Sequence, residues 1–140
     1  MGRAVLSIHT AATTDNQRRA RIADLYREGL SDANVVLPAV QADVTHAFHL
    51  YVVRSQRRDE LRRFLAARDI NTLIHYPVPV HLQPAYNHRF AEGNDLAETE
   101  RAAREILSLP LYPEISDVEV HQVIEAMQQF GRAESATNES

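Results

Sequence analysis

The residue types best suited to chemistry are concentrated in one stretch of seven residues, HYPVPVH, from His75 to His81. Its two imidazoles and the phenol of Tyr76 donate or accept hydrogen bonds. Pro77 and Pro79 exclude a regular helix and a central strand, so we expect a stiff, extended loop. Such a loop suits recognition of a polar ligand, because it loses little entropy on ordering. The alternative is a structural loop with a satisfied histidine and a half-buried tyrosine.

A metal site at this loop would need a third ligand besides His75 and His81. The remaining candidates are His46, His49, His88 or a remote carboxylate. His46 and His49 differ by an odd number of residues, so on a strand they face opposite sides. No spacing matches a known zinc pattern, and we predict no metal site.

Composition excludes several kinds of catalytic group. All 15 basic residues are arginine, and the sequence has neither lysine nor cysteine. These residues therefore offer no lysine for a Schiff base, no thiol nucleophile and no thiolate metal ligand. Ser55 and Ser108 lack the context of a nucleophile elbow. The 19 acidic residues leave a carboxylate pair open, although most fall on predicted helix surfaces. We assign no catalytic residue.

Charge and hydropathy restrict the partners. The net charge of −4 argues against binding of nucleic acid, and no two glycines lie close enough for a phosphate-binding loop. No segment approaches the roughly 18 apolar residues of a membrane helix. The first twelve residues contain only a short apolar run without a clear cleavage site, so we expect a cytoplasmic protein with no membrane partner.

The loop lies within an alternation of helical and extended patterns. Apolar spacing, proline positions and a capping box at Ser116–Glu119 predict helices over 16–30, 56–68, 96–107 and 116–131, and extended segments over 35–37, 46–54, 70–74 and 109–111. Both faces of the 46–54 strand are apolar, which predicts a central strand. The fold class is therefore α+β, a small and mostly antiparallel sheet covered by helices. We expect a poorly defined segment over 1–15, one domain over 16–131 and a disordered tail over 132–140.

Five motifs between His46 and Phe130 occur in the order seen in a known family. They are HAFHLYVVR, RDELRRFLAARDI, HYPVPVHLQPAYN, ETERAAREILSLPLYPEIS and VEVHQVIEAMQQF. Together they resemble the C-terminal small domain of the DegT/DnrJ/EryC1/StrS family, the nucleotide-sugar aminotransferases that depend on pyridoxal phosphate (PLP). The upstream stretch RRARIADLYREGL resembles the family's linking helix.

The resemblance implies the C-terminal domain of a fold-type I PLP aminotransferase. In that family a large domain binds PLP and supplies the Schiff-base lysine, so this chain alone should neither bind the cofactor nor be active. The resemblance places His75, Tyr76 and His81 at the substrate, where they would hydrogen-bond sugar hydroxyls or phosphate. Pro77 and Pro79 would shape the loop.

The implied function is that of a partial nucleotide-sugar aminotransferase of deoxysugar biosynthesis. The chain would supply the substrate-side small domain for amination of a keto-sugar nucleotide and would need a separate large domain. Its partners would be a lysine-bearing large-domain chain, a nucleotide-sugar substrate, and a second subunit in a homo- or heterodimer. The alternative is a non-catalytic remnant or a module that binds nucleotide sugars or regulates the enzyme.

The sequence departs from the family pattern at four positions. Asp69 replaces a glycine after a helix, where we expect a left-handed backbone that Asp tolerates less well than Gly. Asn71 and Leu73 replace glycines, and Leu73 should crowd the approach of substrate or backbone. Ala97 replaces a usual proline.

Overall fold

Six secondary-structure elements make up the described part of a computed structural model, which covers residues 3–39, 48–75, 77–79, 82–84 and 96–138. In chain order they are α1 (Arg3–Gly29), β1 (Tyr51–Arg54), α2 (Arg58–Ala66), α3 (Ala97–Glu105), β2 (Ile106–Leu109) and α4 (Asp117–Asn138). No helix among these residues is long and apolar enough to cross a membrane.

The sheet is antiparallel throughout its described part. β1 pairs with β2, with Tyr51 opposite Leu109 and Arg54 opposite Ile106. Single bridges extend the pairing on both sides, from Val36 to Arg54 and from Leu73 to Ser108. β1 therefore lies between two neighbours, and the predicted small antiparallel sheet with helical cover is confirmed.

The hydrophobic core forms where the helices pack on one face of this sheet. Tyr51 and Val53 of β1 are buried, whereas the alternate residues of the strand are only half-buried. Helices α1, α2 and α4 supply most of the other buried side chains. These include Ile22, Tyr26, Leu61, Leu65, Val120, Val123, Ile124 and Met127, and the buried Leu30 directly follows α1.

Local sequence signals explain the starts of two helices. Before α2, the Ser55 hydroxyl accepts a hydrogen bond from the Arg57 backbone N–H at 3.2 Å. Before α4, the Ser116 N–H donates to Oε2 of Glu119 at 2.8 Å, and the Glu119 N–H donates to the Ser116 hydroxyl at 3.2 Å. The second pattern is a capping box, as predicted, because each residue satisfies a backbone N–H of the other.

Three predicted helix boundaries are wrong. α1 begins at Arg3 rather than 16, so the segment 1–15 is helical from residue 3; no proline or glycine interrupts it before Gly29. α4 continues through Gly131 to Asn138, so the tail from residue 132 is helical up to 138. An interior glycine costs only about 1 kcal/mol, which the buried helix tolerates.

The third error concerns Ile106 and Leu107, which belong to β2 and not to the preceding helix. Pairing with β1, about 50 residues away, overrides the local helical pattern. The predicted extended segments 35–37 and 70–74 shrink to single bridges at Val36 and Leu73, and Leu109 of the predicted segment 109–111 belongs to β2. Residues 46 and 47 of the predicted strand lie outside the described residues.

Candidate functional site

His75 lies at the start of the predicted ligand-binding loop, two residues after the sheet bridge at Leu73. Its side chain is half-buried, and Nδ1 lies 2.9 Å from Oγ of Ser108. Ser108 is in the middle of β2 and is 5% exposed. The structure thus joins the first residue of the loop to the sheet.

Ser108 was not among the predicted site residues. As a nucleophile Ser108 lacks a suitable sequence context, and its residue type alone indicates no other role. The signal that does exist is its position between Leu107 and Leu109, both buried. In a strand, a small polar residue between two buried leucines faces the opposite side, where the loop can contact it.

The described part of the loop beyond His75 is short. The backbone N–H of Leu82 donates to the carbonyl of Pro79 at 2.9 Å, which closes a turn after the second proline. Pro77 is exposed and Pro79 is half-buried. Their loop-shaping role stays a prediction. Tyr76 and His81 lie outside the described residues, so their placement at the substrate also stays a prediction.

The side chain of Leu73 is 63% exposed, although its backbone is bonded to Ser108. Leu73 therefore presents an apolar surface beside the loop. That it crowds a substrate remains a prediction. Val78, inside the loop, is also exposed.

A second polar cluster lies at the far end of β1. Nη2 of Arg54 is 2.8 Å from Oε2 of Glu105 and 3.0 Å from Oε1 of Glu98. The hydrogen bonds to Glu105 and Glu98 raise the pKa of Arg54. The bond between Arg54 and Glu98 also lowers the pKa of the Glu98 carboxyl. A cavity of about 270 Å³ opens beside Arg54, Ser55 and Glu105. Because two carboxylates already neutralise Arg54, the cluster ties α3 to β1 and offers little charge to a ligand.

No three histidine, aspartate or glutamate side chains in the described ranges are grouped so that they could hold a metal ion.

Comparison with known proteins gives these features a family context. Residues 5–128 match the sequence profile of the DegT/DnrJ/EryC1/StrS aminotransferase family. The chain belongs to this family. The resemblance drawn from the five motifs is thereby confirmed.

Several relatives of this chain are named as sugar transaminases. The dTDP-3-amino-3,6-dideoxy-alpha-D-galactopyranose transaminase of Aneurinibacillus thermoaerophilus is 40% identical over 129 residues, 91% of this chain and 35% of that protein. The crystal structure of Streptomyces venezuelae DesV in complex with a ketimine intermediate is 42% identical with a TM-score of 0.83, covering 91% of this chain and 35% of DesV. The crystal structure of NtdA from Bacillus subtilis, with bound cofactor PMP, is 29% identical with a TM-score of 0.69. The match covers 81% of this chain and 27% of NtdA.

The chain spans 35% of the length of the first two of these proteins and 27% of NtdA, which agrees with the predicted partial enzyme. The family depends on PLP. A Schiff base to PLP needs a lysine amine, and these 140 residues contain none. The residues present therefore do not fit covalent attachment of the family's cofactor.

Proposed function

We propose that this chain is the substrate-side small domain of a nucleotide-sugar aminotransferase and that amination needs a separate large domain bearing PLP and its lysine. The observation that carries the proposal is the family match over residues 5–128 in a sequence without lysine. Two of the relatives are dTDP-sugar transaminases, which supports a nucleotide sugar as the substrate. We also propose a cytoplasmic location.

The loop after the sheet supplies the substrate contacts in this proposal. His75 is half-buried beside β2, so little freedom is lost when its ring binds a ligand. Tyr76 and His81 add hydrogen bonds to sugar hydroxyls or phosphate, and Pro77 and Pro79 hold the loop extended. The large-domain chain and a second subunit complete the site.

Reconstitution from two chains tests the proposal. The chain is mixed with PLP, an amino acid as the amino donor, and the large domain of a related transaminase, truncated where the match to this chain begins. We expect a stable complex, Schiff-base absorbance whenever the large domain is present, and amination of a dTDP-keto-sugar by the mixture only. A large domain whose cofactor lysine is replaced by alanine serves as control. Absence of a complex at high concentrations of both chains would refute the proposal.

A matched pair of histidine variants assigns the loop its role. His75→Ala should raise KM for the sugar nucleotide by about tenfold at most, the effect of one hydrogen bond. His121→Ala is the control, because that side chain is exposed on α4 and its hydrogen bond among the described residues is to the Asp117 carbonyl in its own helix. An equal KM in the two variants would show that His75 does not contact the substrate.

The alternative is a non-catalytic remnant or a nucleotide-sugar-binding or regulatory module. It is supported by the well-formed core, which includes residues that are fully buried without any large domain. Tight binding of dTDP by the isolated chain, with no complex in the reconstitution experiment, would favour the binding module. Absence of both dTDP binding by the isolated chain and complex formation with the large domain would favour the remnant.

A further inference from the structure

Ser108 makes contact with the loop segment through its backbone and its side chain. The Leu73 N–H donates to the Ser108 carbonyl at 3.1 Å, and the Ser108 N–H donates to the Leu73 carbonyl at 2.8 Å. His75 follows two residues after Leu73, and its Nδ1 lies 2.9 Å from the Ser108 hydroxyl. The imidazole is thus held against a fixed point of the sheet.

The protonation of this contact follows from hydrogen-bond accounting. Among the described residues, the Ser108 side chain has one hydrogen-bond partner, Nδ1 of His75. If Nδ1 carried the proton and donated it, the nearly buried hydroxyl hydrogen would lack an acceptor, which costs free energy. If the hydroxyl donates to Nδ1, both groups are satisfied, and the ring proton of neutral His75 lies on Nε2.

We propose that Ser108 is a positioning residue that donates its hydroxyl hydrogen to Nδ1 of His75 and thereby presents Nε2–H as a directed hydrogen-bond donor. The ligand group it suits is an acceptor, such as a sugar hydroxyl or a phosphate oxygen. The ligand part of this inference rests on the function proposed above. The tautomer and the orientation of the His75 ring do not depend on that function.

Nitrogen-15 NMR of the imidazole rings tests the proposal in the isolated full chain at a pH where an ordinary histidine is neutral, about 8.5. A His75→Gln sample identifies the His75 signals among the seven histidines. We expect a protonated Nε2 and an unprotonated Nδ1 whose shift shows that it accepts a hydrogen bond. A protonated Nδ1 in the unmodified chain would overturn the proposal without any variant.

Three serine variants separate positioning from a structural role. Ser108→Ala should move the Nδ1 signal to that of a free, unbonded nitrogen, and Ser108→Thr should retain the original shift because it keeps the hydroxyl. Ser55→Ala is the control, since this buried serine also lies next to the sheet but bonds the Arg57 N–H. An unchanged His75 spectrum in Ser108→Ala would overturn the assignment.

In the reconstituted enzyme, Ser108→Ala should raise KM by no more than His75→Ala does and should add nothing to it in the double variant. If reconstitution fails while the NMR results hold, the proposed function is wrong and the positioning role stands. If the NMR signature is absent while reconstitution succeeds, only the positioning role is wrong.

Discussion

Asp69 has a φ of 59°, in the left-handed region that disfavours most side chains. It follows α2, where the Asp69 N–H donates to the carbonyl of Ala66 and the Ile70 N–H donates to the carbonyl of Leu65, both at 3.1 Å. These two bonds form a Schellman motif, whose left-handed position is usually glycine. Asp69 therefore stores backbone strain at a site where the hydrogen bonds require that conformation.

We predict that Asp69→Gly raises the free energy of unfolding by about 0.5–1 kcal/mol, because glycine adopts the left-handed region without steric cost. Asp69→Ala should lower it, since alanine lacks the side-chain oxygen that helps Asp tolerate this conformation. Urea unfolding of the three proteins measures the order. Asp69→Gly at or below the stability of the original chain would contradict this explanation.

At the residue scale, sequence reasoning succeeded where the backbone requirement is local. The left-handed conformation of Asp69 was expected because the family pattern has a glycine at this position after a helix, and the structure confirms it. Phe48 also has a positive φ, 41°, but no sequence pattern predicted it. Ser108 was missed because its contact with His75 joins residues 33 positions apart. No local pattern reports which loop folds over which strand.

The contact between α1 and α4 depends on a residue without a side chain. A Cβ added at Gly29 would lie 2.7 Å from both Cδ1 and Cγ2 of Ile124, much closer than van der Waals contact. Beside it, Nε2 of Gln128 donates to the Gly29 carbonyl at 2.7 Å. The two helices therefore approach as closely as a glycine allows.

We predict that Gly29→Ala destabilises the fold by about 1–3 kcal/mol through overpacking against Ile124. In an Ile124→Ala background, which itself costs about 2–5 kcal/mol, the added methyl should be neutral or stabilising because it enters the vacated space. Urea denaturation of the four proteins in this cycle gives the coupling free energy. Additive effects of the two substitutions would show that the side chains do not meet.

At the element scale, the correct predictions were those with strong local signals. The capping box at Ser116–Glu119 predicted the start of α4, and apolar spacing over 56–68 predicted α2, in which Leu61 and Leu65 are buried. The errors lie where distant pairing or packing decides. Ile106, predicted to be helical, belongs to β2, and α4 continues through Gly131.

Across the whole molecule, ion pairs join elements that are remote in sequence. Nη1 of Arg18 in α1 lies 2.7 Å from Oδ1 of Asp117 at the start of α4, and Nη2 of Arg18 donates to the Ile115 carbonyl at 2.6 Å. Arg18 lowers the pKa of Asp117 below its ordinary 3.8, and Arg54 lowers that of Glu98 below 4.5. Acid should therefore loosen two contacts between elements.

Burial acts on the opposite side of the pH scale. Tyr26 and Tyr51 pack with ring centroids 5.1 Å apart, and the Tyr26 hydroxyl donates to the Pro110 carbonyl at 2.8 Å. Burial of the phenol raises the pKa of Tyr51 to about 12 and raises that of Tyr26 as well. Their ordinary value of 10 holds in the unfolded chain, where the phenols ionise more readily.

These shifts predict a stability plateau between about pH 5 and pH 10, measured as the free energy of unfolding in urea. The lowered carboxyl pKa values give stability that is present above about 4.5 and is lost as the pH falls through the folded-state values. The raised tyrosine values give stability that is present below 10 and is lost as the pH rises through about 12. Asp117→Asn should reduce the slope of the acid limb and leave the alkaline limb unchanged, and Tyr51→Phe should reduce the slope of the alkaline limb and leave the acid limb unchanged. Each variant therefore serves as the control for the other, and a variant that changed both limbs equally would refute the assignment of either group.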